Sequence, residues 1–145
     1  MIVRYCAGGV VFYANKVLLV KNDREWTLPK GKIHQDELKH SSAVSRVKDE
    51  TGVEASILET AGNTMYQFFS RSRQQEVCNA ITWYIMQTDS NNYVLKDEFT
   101  DGGFYKVKEA INMLTHSQEK SLVDISYKKY KELRKNNIED GLATN

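Results

Sequence analysis

The segment that most constrains this chain runs from Trp26 to Val53, WTLPKGKIHQDELKHSSAVSRVKDETGV. Pro29 pushes Leu28 away from helical geometry, and Gly31 completes a tight loop. A charged stretch follows and stops at Gly52, which suits a left-handed helix cap. His40, Ala43, Val44, Val47 and Thr51 recur at helical spacing. This predicts a helix over 39–51, with Val44 and Val47 buried and His40 packed on the apolar side. Residues three and four apart share a helix face, so Arg46, Asp49 and Glu50 project together. Gathered carboxylates suit a hard divalent cation, and a cation beside the loop Lys30-Gly31-Lys32 suits phosphate chemistry. The alternative is a solvated charged face on which Arg46 pairs with Glu50.

The spacing carries more. Five residues separate Gly31 from Glu37, and seven more lead to Ser45-Arg46-Val47-Lys48-Asp49-Glu50-Thr51-Gly52-Val53. This resembles the box of the Nudix (MutT-like) hydrolase family. The family pattern is Gly, five residues, Glu, seven residues, Arg-Glu, an aliphatic, any residue, Glu-Glu, any residue, Gly, an aliphatic. Gly31, Glu37, Val47, Glu50, Gly52 and Val53 match, and Asp49 is a conservative replacement. Ser45 stands where the family has Arg, and Arg46 where it has a metal-binding Glu, so the box is degenerate.

The resemblance implies an α/β fold, a Nudix-type α/β/α sandwich with a mixed β-sheet. It also implies a metal-dependent hydrolase of nucleoside diphosphates linked to another group, with Mg2+ or Mn2+ as cofactor. By that resemblance Asp49 and Glu50 are metal ligands, and Glu50 is also catalytic. Gly31, Glu37 and Gly52 are structural, Glu37 through pairing with a basic residue of the helix. The family also uses an acidic residue outside the box, for which Glu98 is the first candidate and Glu76 the second. Lys30 and Lys32 are candidate phosphate ligands or ordinary surface lysines. Trp-x-Leu-Pro-Lys-Gly-Lys looks like the branch acting on dinucleoside polyphosphates and diphosphoinositol polyphosphates, although Glu-x-Gly-Glu is absent after it.

Arg46 leaves two outcomes open. In one, it holds substrate phosphate directly, in part replacing a cation. Alternatively, it weakens the metal site enough that only binding survives. Opposite charges about 4 Å apart interact by roughly 4 kcal/mol at an effective dielectric near 20, so the reversal is not trivial. A non-catalytic nucleotide-binding or regulatory module, or an interaction domain with a relic box, is therefore the alternative to a hydrolase of reduced activity.

Composition bounds the rest. At 145 residues one domain is expected over 1–136, with a flexible tail over 137–145. A net charge of +1 gives no global pull towards nucleic acid or membrane. Cys6 and Cys78 lie in apolar strand-like runs and read as two buried thiols of a cytoplasmic protein. Neither a signal peptide nor a membrane span is expected. The expected partner is a small phosphorylated, nucleotide-like molecule, and oligomeric state is not readable.

Strands are expected at Val3 to Tyr13, Lys16 to Lys21, Trp26 to Leu28, Glu54 to Phe69, Glu76 to Thr88 and Gly103 to Val107. Gly8-Gly9 inside the first marks a bulge or a close backbone approach. Helices are expected at Lys108 to Leu114 and from Ser117 to about Lys135, the latter with Leu122, Val123, Ser126, Tyr127, Tyr130 and Leu133 inward. Tyr66, Phe68, Phe69, Trp83 and Tyr84 either pack the sheet or stack on a base. Specificity is expected from the loops Ser70 to Gln75 and Asp89 to Lys96.

Overall fold

In the computed structural model, which describes residues 1–143 with side chains to residue 136, alternating apolar residues build one mixed sheet with helices on both faces. The flexible tail expected over 137–145 lies outside the residues whose side chains are described. The elements are β1 (Ile2–Tyr13), β2 (Lys16–Asn22), β3 (Glu25–Thr27), β4 (Lys30–Lys32), α1 (Lys39–Thr51), β5 (Ser56–Ser70), β6 (Gln75–Gln87), β7 (Asp101–Lys106), α2 (Val107–Met113) and α3 (Ser117–Ala143). The sheet runs β3-β2-β1-β6-β5, with β4 on β1 and β7 on β2. β1 and β6 are parallel over their full overlap, and the other pairs are antiparallel.

Alternation along the strands sorts two cores. Val10, Phe12, Val17, Leu19, Trp83 and Ile85 face α2 and α3, where Val107, Leu114, Val123 and Tyr130 close over them. Ala7, Val11, Leu18, Tyr84 and Met86 face the other way, against Ala43 and Val47 of α1. This is the expected α/β/α sandwich. Of the flagged aromatics, Trp83 and Tyr84 are buried in the cores, whereas Tyr66 and Phe69 are exposed.

β1 changes partners along its length, and that opens the site. It pairs with β2 only at Phe12↔Val17 and Tyr13↔Lys16. Nearer its start it pairs with β4, Cys6 to Gly8 against Lys32 to Lys30. The segment 30–32, expected as loop, is thus a strand, and β2 veers off with β3 and β7. Gly8 is the close approach anticipated from sequence. A Cβ there would lie 2.6 Å from the Pro29 carbonyl oxygen and 2.6 Å from the Trp83 ring.

α1 spans the expected residues, and Gly52 caps it at φ 71°. Its buried face differs in detail: Ser42, Ala43, Arg46, Val47 and Thr51 are buried, Val44 is half-buried and His40 is exposed. Ser42 turns inward instead, its hydroxyl donating to Glu37 Oε1 at 3.0 Å. No helix among the described residues is long and apolar enough to cross a membrane.

Gly8→Ala should be destabilised by about 1–3 kcal/mol, because rigid backbone and a packed indole leave no room for the methyl. Urea unfolding of the two proteins measures this.

Candidate functional site

The site forms where the β3–β4 loop, the end of α1 and the loop after β6 meet. Its scaffold is Arg46. The guanidinium packs over β4, and a Cβ on Gly31 would come within 2.7 Å of Arg46 Cδ. Nη1 donates to the Lys32 carbonyl at 3.2 Å and lies 2.7 Å from His34 Nε2. Nη2 lies 3.5 Å from Glu37 Oε2. Nε lies 3.2 Å from Asp49 Oδ2 but is not aligned for a hydrogen bond, so that pairing is electrostatic. The side chain is only 10 % exposed.

These contacts redistribute the expected roles. Glu37 is tied by the His34 N–H (2.9 Å), by Ser42 and by Arg46. The His34 bond, then Ser42 and Arg46, hold its carboxyl below the usual range. Arg46 is not among the residues lining the two cavities described below, which favours the second of its two expected outcomes over a direct hold on phosphate. Nor does it pair with Glu50. Asp49 is 56 % exposed, lies against Arg46 and also lines neither cavity. Neighbouring positions on a helix are about 100° apart, which is why Asp49 and Glu50 part company.

Glu50 turns the other way and is 12 % exposed. It lines a cavity of about 230 Å³ with Cys6, Thr27, Lys30, Gly31 and Glu98. Glu98 arrives there because the loop after β6 is clamped to the end of α1. The Val94 N–H donates to the Thr51 carbonyl at 2.8 Å, and the Lys96 N–H to the Glu50 carbonyl at 2.9 Å. Lys96 Nζ also approaches Glu50 Oε1 at 3.9 Å. Glu50 Oε2 is buried with no donor. Its carboxyl is pushed up to about 7, first by burial and further by the Glu98 carboxyl beside it, with Lys96 pulling the other way.

A buried, unsatisfied carboxylate oxygen facing a second carboxylate calls for a shared proton or a cation. Among the described residues no three His, Cys, Asp or Glu side chains cluster as a ready-made metal cage. Two carboxylates still suit one magnesium-like ion, which keeps waters and takes substrate phosphate oxygens for its other positions. The residues present therefore fit one hard cation at Glu50 and Glu98.

Lys30 lines both this cavity and an adjoining one of about 210 Å³. Lys32 is exposed and lines neither; it contributes its carbonyl to Arg46. Glu76 is exposed at the start of β6, and residues 70–75 line neither cavity. Of the other expected specificity loop, Asp89 to Lys96, no residue lines either cavity; Glu98 and Phe99, just beyond it, line the first.

Sequence reasoning missed Glu119. It is 6 % exposed, and its Oε1 accepts the Leu28 N–H at 2.7 Å, tying α3 to the loop that leads into Lys30 of β4. Burial raises its carboxyl. Its signal was there to read: it lies three and four residues before Leu122 and Val123, on the apolar stripe of α3.

A mixed curled sheet, a charged helix after a Lys-Gly-Lys strand and a carboxylate-lined cleft define a recognisable class. The NUDIX domain family matches residues 4–125, and the chain belongs to that family. MutT4 of Mycobacterium tuberculosis is 26% identical over 102 residues, 70% of this chain but only 40% of that protein. Among solved structures, the Ap4A hydrolase of C. elegans superposes with a TM-score of 0.70 at 16% identity, covering 89% of this chain and 98% of its own. The E. coli dihydroneopterin triphosphate pyrophosphohydrolase gives 0.69 at 12% identity, covering 86% and 96%. A NUDIX hydrolase from Nitrosomonas europaea gives 0.67 at 16%, covering 85% and 69%. At these identities the likeness is one of fold.

The raised Glu50 carboxyl has a thermodynamic consequence. Its folded value of about 7 lies above its ordinary 4.5, so its ionisation opposes folding. Metal-free protein should lose stability as pH rises through that window, and the full cost should persist above it. Glu50→Gln should remove this dependence and stabilise the metal-free protein at pH 8, by no more than about 3 kcal/mol. Urea midpoints at pH 5 and pH 8 measure both.

Proposed function

We propose that this protein is a metal-dependent hydrolase of nucleoside diphosphates linked to another group, a pyrophosphohydrolase of reduced activity acting in the cytoplasm. Family membership supports hydrolase activity in general terms. The Ap4A hydrolase and the triphosphate pyrophosphohydrolase among the structural neighbours support a phosphoanhydride substrate. The observation that carries the reading is the buried, donorless Glu50 carboxylate beside Glu98 and Lys30 in one cavity.

The parts divide as follows. Glu50 and Glu98 would hold one Mg2+ or Mn2+. When bound, such an ion polarises a phosphoryl oxygen and lowers the pKa of water. Lys30 neutralises phosphate oxygens where the two cavities join. Glu98, on a loop and not on the helix, would also take the proton of the attacking water. Gly31 leaves room for the Arg46 stem over β4, where a Cβ would come within 2.7 Å of Cδ. Arg46 takes no part at the phosphate; it holds Glu37, β4 and Asp49.

Arg46 also favours a second reading. With Asp49 occupied by a guanidinium, the site has fewer free carboxylates than a full box, and a module that binds nucleotide without cleaving it would need no more.

A screen of nucleoside diphosphate derivatives, read by released phosphate species, decides between them. The hydrolase reading expects slow turnover that chelator abolishes and millimolar magnesium or manganese restores. Glu98→Gln should lower kcat by about 10²-fold or more while the fold is kept. If no derivative is cleaved while nucleotides still raise the melting temperature, the binding module stands in its place.

A further inference from the structure

β5 ends the sheet on the β6 side, and its free edge is guarded unevenly. The first half is protected in the ways edge strands usually are. Register shifts at Ile57/Glu59 and Thr60/Gly62 break the regular ladder. Glu59 adds a charge, 3.8 Å from Lys129 of α3. At Met65 the Gln118 side chain stands in for a further strand. Its amide oxygen accepts the Met65 N–H at 3.3 Å, and its amide nitrogen donates to the Met65 carbonyl at 3.0 Å. Beyond Met65 the protection stops. Residues 63–70, Asn-Thr-Met-Tyr-Gln-Phe-Phe-Ser, hold no charge and no proline. Phe69 is 54 % exposed. We infer that this open end of β5 is an interface for a second copy of the chain, which adds its own β5 antiparallel and extends the sheet across a two-fold axis at Phe68.

The backbone fixes the register. The two bonds to Gln118 show that Met65 turns its N–H and C=O away from β6. That direction alternates along a strand, and β5 pairs with β6 without a shift from Asn63 to Ser70. Gln67 and Phe69 therefore also turn their polar groups outward, where nothing among the described residues bonds to them. Gln118 blocks Met65, so an added strand has Gln67 and Phe69 to bond to. Only one antiparallel register uses both residues of both strands. It sets Gln67 opposite Phe69 of the second copy and Phe69 opposite its Gln67, each pair exchanging both N–H···O bonds.

That register also suits the side chains. Phe68 comes to face Phe68 of the second copy at a position without hydrogen bonds, where opposed residues lie closest. Its ring is already held in place, 5.8 Å from the Tyr66 ring and 5.5 Å beneath the Arg4 guanidinium. Cross-strand aromatic pairs of this kind stabilise a sheet. Every residue paired in the strip is uncharged, so the two-fold brings no like charges together.

Charge at the margin favours a second copy over another extended peptide. The turn after β5 carries Arg71 and Arg73, and no acid lies between residues 60 and 75. In the antiparallel pair this basic turn of one copy runs past Met65 and Gln118 of the other. Those two residues share a rim with Glu25, whose side chain is half exposed. A basic turn thus meets an acidic rim twice, once on each side of the axis. Glu50, Glu98 and Lys30 lie outside the strip, so the interface stands or falls independently of the hydrolase reading. Its small extent sets its strength, a dimer of micromolar affinity.

Sedimentation velocity of the full chain from about 1 µM to about 1 mM tests this, and the native chain should pass from monomer to dimer within that span. Gln67→Pro removes an outward N–H and no bond to β6, so it should fold and stay monomeric. Phe69→Lys should melt normally and weaken association by about tenfold or more. Phe68→Cys lies on the axis and should give a disulfide-linked dimer under mild oxidation; Ser70→Cys lies off it and should not. A native chain that stays monomeric throughout overturns the inference, even if the edge captures an extended peptide instead. So does a dimer that is as tight in Gln67→Pro and Phe69→Lys as in the native chain. Cross-linking through Ser70→Cys and not through Phe68→Cys overturns it too, because the axis then lies elsewhere. Should Gln67→Pro fail to fold, Phe69→Lys and the two cysteine variants decide the matter.

Discussion

Everything at this site depends on where one guanidinium goes. Arg46 sits on the buried face of α1, and removing a charged group from water is costly unless its partners are in place. The structure provides them: the Lys32 carbonyl, His34, Glu37 and Asp49 surround it within 3.5 Å. Its stem lies across Gly31, so β4 is held under α1 through aliphatic contact as well as charge. The helix, the strand and the intervening loop are thus fastened at one residue, and the site inherits their relative position.

The consequence for chemistry is a division of the acidic helix. Asp49 is drawn to the guanidinium on the exposed side, and Glu50 is left facing inward. Inside, Glu50 meets Glu98 and a desolvated surrounding, which explains both its orphaned oxygen and its raised carboxyl. A buried carboxylate beside a second one demands compensation, which a divalent cation with bound phosphate would provide. The loop that brings Glu98 is not held by its side chains. It is held by backbone N–H groups of Val94 and Lys96, which satisfy carbonyls at the end of α1. Capping the helix and completing the site are one event.

Much of this was legible in the chain. The box spacing placed α1 correctly because helix period, Gly52 and the Pro29 loop all agree. The mixed sheet covered on both faces followed from hairpins, one helix between strands and a C-terminal helix, and Gly8 from glycine inside a strand marking a bulge or close approach. Glu98 could be singled out because acidic residues precede a strand in the expected region. What failed did so for specific reasons. The period of a helix shows which residues share a face but not which face turns inward, so His40 was packed on paper and the place of Arg46 was left open between two outcomes. β4 was missed because a Lys-Gly-Lys triplet has no strand signature; β1 recruits it by offering a free edge. Glu119 was missed because an acid in the first turn of a helix is ordinary, and only its register with Leu122 and Val123 betrays burial.

The central claim is that Arg46 reserves Asp49 and leaves a single cation site at Glu50 and Glu98. Counting bound Mn2+ by electron paramagnetic resonance, without substrate, tests it most directly. The account expects one ion per chain at saturation, retained in Asp49→Asn and lost in Glu50→Gln. Two or more ions on the native protein, or loss of the ion in Asp49→Asn with binding intact in Glu50→Gln, would contradict it.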